Sequence, residues 1–143
     1  MAKEVLLEVT STQSYAEGST DSIEYRVLGT LHKRGDILYL VYPEPETTGI
    51  VGVTTSLKIE PHKVTLNRMG TLEHKQVFER GMFHSSTYVT PQACFSFQVY
   101  TEDMEINLTE QEGKLTLKYS LFSDKHLISK NILRINIKED APQ

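Results

Sequence analysis

The sequence contains one cysteine, no tryptophan, no run of basic residues and no long apolar stretch. A lone Cys94 rules out an internal disulfide, and with it a disulfide-dependent secreted fold. The start MAKEVLLEV has no extended apolar region behind its charged residues and reads as strand, not as a signal peptide. No segment approaches the ~20 apolar residues that cross a bilayer as a helix. The expected setting is a reducing cytoplasm, away from membranes. Nineteen acids against fifteen bases give a formal charge of −4. Phosphate neutralisation needs concentrated lysine and arginine, so a nucleic-acid partner is not expected. The closest approach, His32-Lys33-Arg34, reads as part of a turn that it solvates. Also missing are a glycine-rich phosphate loop, a G-x-S-x-G elbow and an H-E-x-x-H helix. No catalytic residue and no cofactor is assigned, and an enzyme ranks below a binding or structural protein.

Strict alternation of apolar and polar side chains is abundant. It is clearest in Ile23-Glu24-Tyr25-Arg26-Val27 and in Leu133 to Lys138. A period of two places successive side chains on opposite faces of a strand, one covered and one wet. Val5-Leu7-Val9, Val51-Val53-Thr55-Leu57-Ile59, Val64-Leu66, Phe95-Phe97-Val99, Met104-Ile106-Leu108 and Leu115-Leu117-Tyr119-Leu121 read the same way. Turn signals at Glu17-Gly18, Arg34-Gly35-Asp36, Pro43 to Gly49, Pro61-His62, Met69-Gly70, Arg80-Gly81, Pro91 and Glu112-Gly113 separate these segments. Such short intervals leave no room for crossover helices, and no window of eleven or more residues repeats at helical period.

The expectation is an all-β chain forming one domain over residues 1–143. About ten strand-like segments must close or stack to avoid exposed edges. Long segments at Ile50 to Glu60 and Ala93 to Leu108 favour a single closed or nearly closed antiparallel barrel built as a meander, its first and last strands paired. Ser14 to Ser22 reads as a loose loop and Glu139 to Gln143 as a polar tail.

Arg68 keeps the phase of Val64 and Leu66, and so continues an inward-facing pattern with a charge. A buried guanidinium must have its charge and donors matched. Glu44 and Thr55 in neighbouring segments, and Tyr88 across the barrel, are the candidate partners. Three readings stay open: a rim arginine reaching solvent, a structural interior ion pair, or a contact to a carboxylate or phosphate ligand. His84, Ser86, Tyr88 and Thr90 share a face, a polar row that reads either as a mouth or pocket wall or, in first place, as a wet outer face with Phe83 and Val89 filling the core behind it. The five histidines are scattered without metal-site spacing, so no metal centre is expected. Cys94 is out of phase with Phe95 and Phe97 and points outward as an inert thiol, while those phenylalanines read as core filling. The carboxylates at Glu44/Glu46 and Glu102/Asp103/Glu105 flank turns or line wet faces.

YPE at Tyr42 to Glu44, GVTTSLKI at Gly52 to Ile59, VTLNRMG at Val64 to Gly70, Phe78 with Gly81, YVTP at Tyr88 to Pro91 and EGKLTLKYSL at Glu112 to Leu121 together resemble the YwiB-like family. These are small uncharacterised bacterial proteins, and the resemblance covers nearly the whole chain. It implies a calycin-like, lipocalin-type β-barrel and carries no activity with it. Ala93 stands where members turn through glycine before the next strand. The leading functional expectation is noncatalytic binding of a small anionic or amphipathic ligand. The alternative is a structural or interaction domain that self-associates as a homodimer, and an enzyme of unknown class comes third.

Overall fold

The computed structural model describes residues 2–45 and 51–139. Ten antiparallel strands run in chain order: β1 Lys3–Tyr15, β2 Thr20–Arg34, β3 Ile37–Pro43, β4 Val53–Ile59, β5 Val64–Gly70, β6 Glu73–Phe78, β7 Phe83–Val89, β8 Cys94–Leu108, β9 Gly113–Ser123 and β10 His126–Glu139. Each pairs with its neighbour in sequence, and β10 returns to β1 over Val5↔Glu139 to Tyr15↔Ser129, closing the barrel. The chain is all-β, with no helix among the described residues.

The turns follow local chemistry. β9 passes to β10 through Asp124 and Lys125, both at positive φ (49° and 67°), the mirror-image turn whose twist suits a two-residue hairpin. Thr90 and Thr109 each close a four-residue turn, the hydroxyl accepting from the backbone N–H groups two and three residues on. The Thr90 turn is how Ala93 serves where a glycine was expected: Thr90 N–H donates to the Ala93 carbonyl at 2.8 Å, and Ala93 needs no positive φ.

The interior is divided along its length. At the end holding the β2–β3, β4–β5, β6–β7 and β8–β9 turns, Leu7, Leu31, Leu40, Leu57, Ile59, Phe78, Leu115, Leu117, Ile135 and Ile137 are fully buried in one cluster. Each such side chain contributes roughly 1.5–3 kcal/mol of transfer free energy. Toward the other end the inward positions become polar: Thr55, Gln76, Ser86, Ser129 and Asn131 are all buried.

Several expectations from the sequence change. Ser14 to Ser22 is not a loose loop, because β1 runs to Tyr15, β2 starts at Thr20, and Tyr15 N–H donates to the Ser19 carbonyl at 2.8 Å. The strand expected from Ile50 begins only at Val53; Val51 is exposed, and Ile50 lies outside the described residues with Glu46, most of the Pro43 to Gly49 turn and the polar tail beyond Glu139. The phase assigned to His84–Thr90 is inverted. Ser86 is fully buried and Phe83 is 61% exposed, with Val89 at the other end of β7 exposed as well. Phe95 is likewise exposed at the rim instead of filling the core. The physical reason is common to these residues: where the interior is itself polar, hydrophobicity no longer marks the inner face.

Candidate functional site

Strand register assembles the site. Tyr42 of β3 faces Thr55 of β4, Thr55 faces Arg68 of β5, Arg68 faces His74 of β6, His74 faces Tyr88 of β7, and Tyr88 faces Phe95 of β8. One lateral row therefore crosses six strands. A cavity of about 580 Å³ lies inside this row, its far wall formed by Ser11 and Gln13 of β1, Tyr119 and Leu121 of β9, and Asn131 and Leu133 of β10. Ten strands enclose a wider bore than eight, so side chains that fill one end leave room at the other. The cavity opens where Ile23 and Phe95, both in its wall, are exposed.

Glu44 sits just beyond the row, with its side chain 1% exposed. Its carboxylate accepts from the Thr55 hydroxyl, from Tyr25 Oη at 3.4 Å and from Arg68 Nε at 3.4 Å. The Arg68 side chain is 23% exposed, facing the cavity while its other end is anchored. Nη1 donates to His74 Nδ1 at 3.1 Å. Since Nδ1 accepts, the proton of the neutral imidazole sits on Nε2, facing Gln76 Oε1 and Ser86 Oγ, each at 3.1 Å. Ser86 in turn donates to the Lys75 carbonyl at 3.1 Å. Tyr88 packs its ring on His74 with centroids 5.3 Å apart.

Burial, followed by the Arg68 charge, lowers the His74 pKa to about 4. Burial likewise raises Tyr42 to about 12 and holds Tyr25 and Tyr119 above the ordinary tyrosine value. Near neutrality His74 and these tyrosines are thus neutral hydrogen-bonding groups around the Glu44–Arg68 ion pair. Among the described residues no cluster of His, Cys, Asp and Glu is arranged to hold a metal ion, and no helix is long and apolar enough to cross a membrane.

The structure brings Arg68, Glu44 and Thr55 into direct contact. It places Tyr88 in the same wall, two strands from Arg68 and reached through His74, not across the barrel. Sequence reasoning passed over His74, Gln76, Tyr25 and Asn131. The signal was available in one place: His74, Gln76 and Phe78 share a phase that ends on a core phenylalanine.

The model of the family described as Domain of unknown function (DUF1934) matches residues 7–135. The chain belongs to this family. The DUF1934 match reaches into every strand of the barrel and includes the whole registered row. A solved structure, the crystal structure of the ywiB protein from Bacillus subtilis, superposes with a TM-score of 0.86 at 20% identity, covering 98% of this chain and 94% of that one. At that identity the likeness concerns the fold alone. No curated protein matches the DUF1934 chain. In this chain the segments YPE, VTLNRMG and YVTP place Tyr42, Glu44, Arg68 and Tyr88 in the cavity wall, and Thr55 stands behind them on Glu44.

Proposed function

We propose that this protein binds a small amphipathic molecule noncatalytically, its apolar body inside the barrel and its anionic or hydrogen-bond-accepting head at Arg68. The observation that carries the reading is the anchored guanidinium in the wall of a cavity that sets a polar side against aromatic and aliphatic surface. About 580 Å³ lies within the range of small-molecule sites, roughly 300–1,000 Å³. Among the described residues, Nε and Nη1 of Arg68 have partners and Nη2 has none, leaving a donor for a ligand. Phe95, Phe97, Leu121 and Leu133 supply apolar wall. Glu44 already balances the guanidinium, which favours a head with a single charge or a strong dipole over a multiply charged phosphate.

A binding role is also favoured over catalysis by the state of His74. With its lone pair taken by Arg68 and its pKa lowered, it is a poor general base near neutrality. We assign the protein to the cytoplasm, in keeping with Cys94 as an exposed free thiol that a reducing compartment preserves.

The test uses 8-anilinonaphthalene-1-sulfonate, an aromatic anion, titrated by fluorescence and calorimetry. Saturable one-site binding is expected, weakened at least tenfold in Arg68→Ala, about 1.4 kcal/mol or more. It is also expected to be blocked by Ser11→Phe, which fills the cavity from β1. Absent binding, or binding indifferent to both substitutions in folded protein, refutes the reading.

A further inference from the structure

The barrel closes, yet one strand is only half sheathed. β1 pairs with β2 from Ser14↔Thr20 down to Lys3↔Leu31, whereas β3 pairs with β2 only over Thr30–Arg34. The upper half of β2 therefore has a free edge among the described residues. The sequence explains where the β3 ladder stops: continuing the Thr30↔Val41 register would set Leu28 against Pro43, which has no N–H to give.

Backbone alternation tells which groups are left over. Tyr15 N–H donates to the Ser19 carbonyl at the β1–β2 turn, so every second pair from there bonds across that ladder and odd-numbered β2 residues spend their polar groups on β1. The N–H and C=O of Ser22, Glu24, Arg26 and Leu28 point the other way. Among the described residues no strand pairs with these groups, and such a row is a template for another strand.

We propose that this edge pairs with the same edge of a second copy, antiparallel about a two-fold axis through Tyr25. The charges select that register. Centring on Tyr25 sets Glu24 opposite Arg26 of the other copy twice over, Ser22 opposite Leu28 and Ile23 opposite Val27. Centring on Glu24 or on Arg26 instead faces like charges across the axis. Arg26 is available for this, its side chain 73% exposed. Its present partner Glu8, at 3.3 Å, retains Lys138 at 2.9 Å. Leu28 and Ile23, both exposed, become covered. Tyr25, which donates to Glu44, would then stand at the centre of the interface, so that pairing completes the cavity wall.

Sedimentation velocity and light scattering at tens of micromolar chain test this. The expected result is twice the chain mass for the wild type, a monomer for Glu24→Arg and for Arg26→Glu, and a restored dimer for the charge-swapped double variant. Circular dichroism checks that each variant is folded, and Glu24→Arg carries the test if Arg26→Glu perturbs the Glu8 contact. In the wild type, amide exchange at Ser22, Glu24, Arg26 and Leu28 should accelerate on dilution. A monomeric wild type, a dimer that survives both single reversals, a folded double variant that stays monomeric, or capture of a foreign peptide on this edge in place of a second copy overturns the proposal.

Discussion

Nη1 of Arg68 lies 3.1 Å from Nδ1 of His74. A guanidinium only donates, so the imidazole must accept, and this contact fixes its neutral state and its tautomer together. It also divides Arg68 between two tasks. One nitrogen neutralises Glu44, another orients His74, and the remainder of the fork faces the cavity.

Removing the guanidinium should cost more than removing the carboxylate. Glu44 is sealed in the wall, and Arg68→Ala leaves its charge with only Thr55 and Tyr25 as donors; the expected loss is about 3 kcal/mol. Glu44→Gln leaves Arg68 with access to the cavity's solvent, and about 1–2 kcal/mol is expected. Urea denaturation of both single variants and the double variant gives the coupling, and equal losses in the two single variants would contradict this asymmetry.

His74 makes stability depend on mild acid. Its folded pKa of about 4 lies below the ordinary 6.5, so between those values the unfolded chain binds the extra proton. Stability is therefore complete above about pH 6.5 and falls as the pH drops toward 4, by on the order of 2 kcal/mol once solvent access through the cavity is allowed for. Urea midpoints across this range should lose much of their slope in His74→Gln. An unchanged slope, or a His74 imidazole titrating near 6.5 by NMR, would refute the assignment.

The tyrosines act at the alkaline end. Tyr42 is raised to about 12, and Tyr25 and Tyr119 are raised as well, so the folded state retains protons that the unfolded chain gives up near 10. Their contribution is whole below about pH 10 and is lost as the pH rises through the folded values. Spectrophotometric titration should show part of the tyrosinate absorbance appearing only with alkaline unfolding, whereas in denaturant all seven tyrosines ionise together near 10.

Gly70 ends β5 two residues after Arg68, at φ 142°, and a Cβ there would lie 1.9 Å from the Gly52 carbonyl oxygen. Backbone, not a flexible side chain, blocks the substitution. Gly70→Ala should lower stability by about 2–4 kcal/mol, and it should weaken probe binding in whatever protein remains folded, because the Thr55–Arg68 register depends on that junction. Thermal unfolding checks the first outcome; a variant as stable as wild type would refute it.

The alternating segments made most of the strands legible and their number roughly so, because a period of two is a local property and each turn carries its own chemistry; β6, Glu73–Phe78, was not among them. The same alternation put Arg68 on the inward face with Thr55 and Glu44 at hand. It gave the wrong face for His84–Thr90 and the wrong environment for Phe95. Phase groups side chains by face, but which face is inner was inferred from hydrophobicity, and that inference fails beside a polar cavity.

By itself, then, the sequence determined an all-β meander, most of its turns and the inward charge at Arg68, since each rests on residues close together in the chain. Only the tertiary structure decided that Arg68 would meet His74, that Tyr88 would reach the site through that ring, and that one end of the bore would stay open. Those outcomes depend on cross-strand register and on the circumference of ten closed strands, both set by pairings between distant residues and not by any single segment.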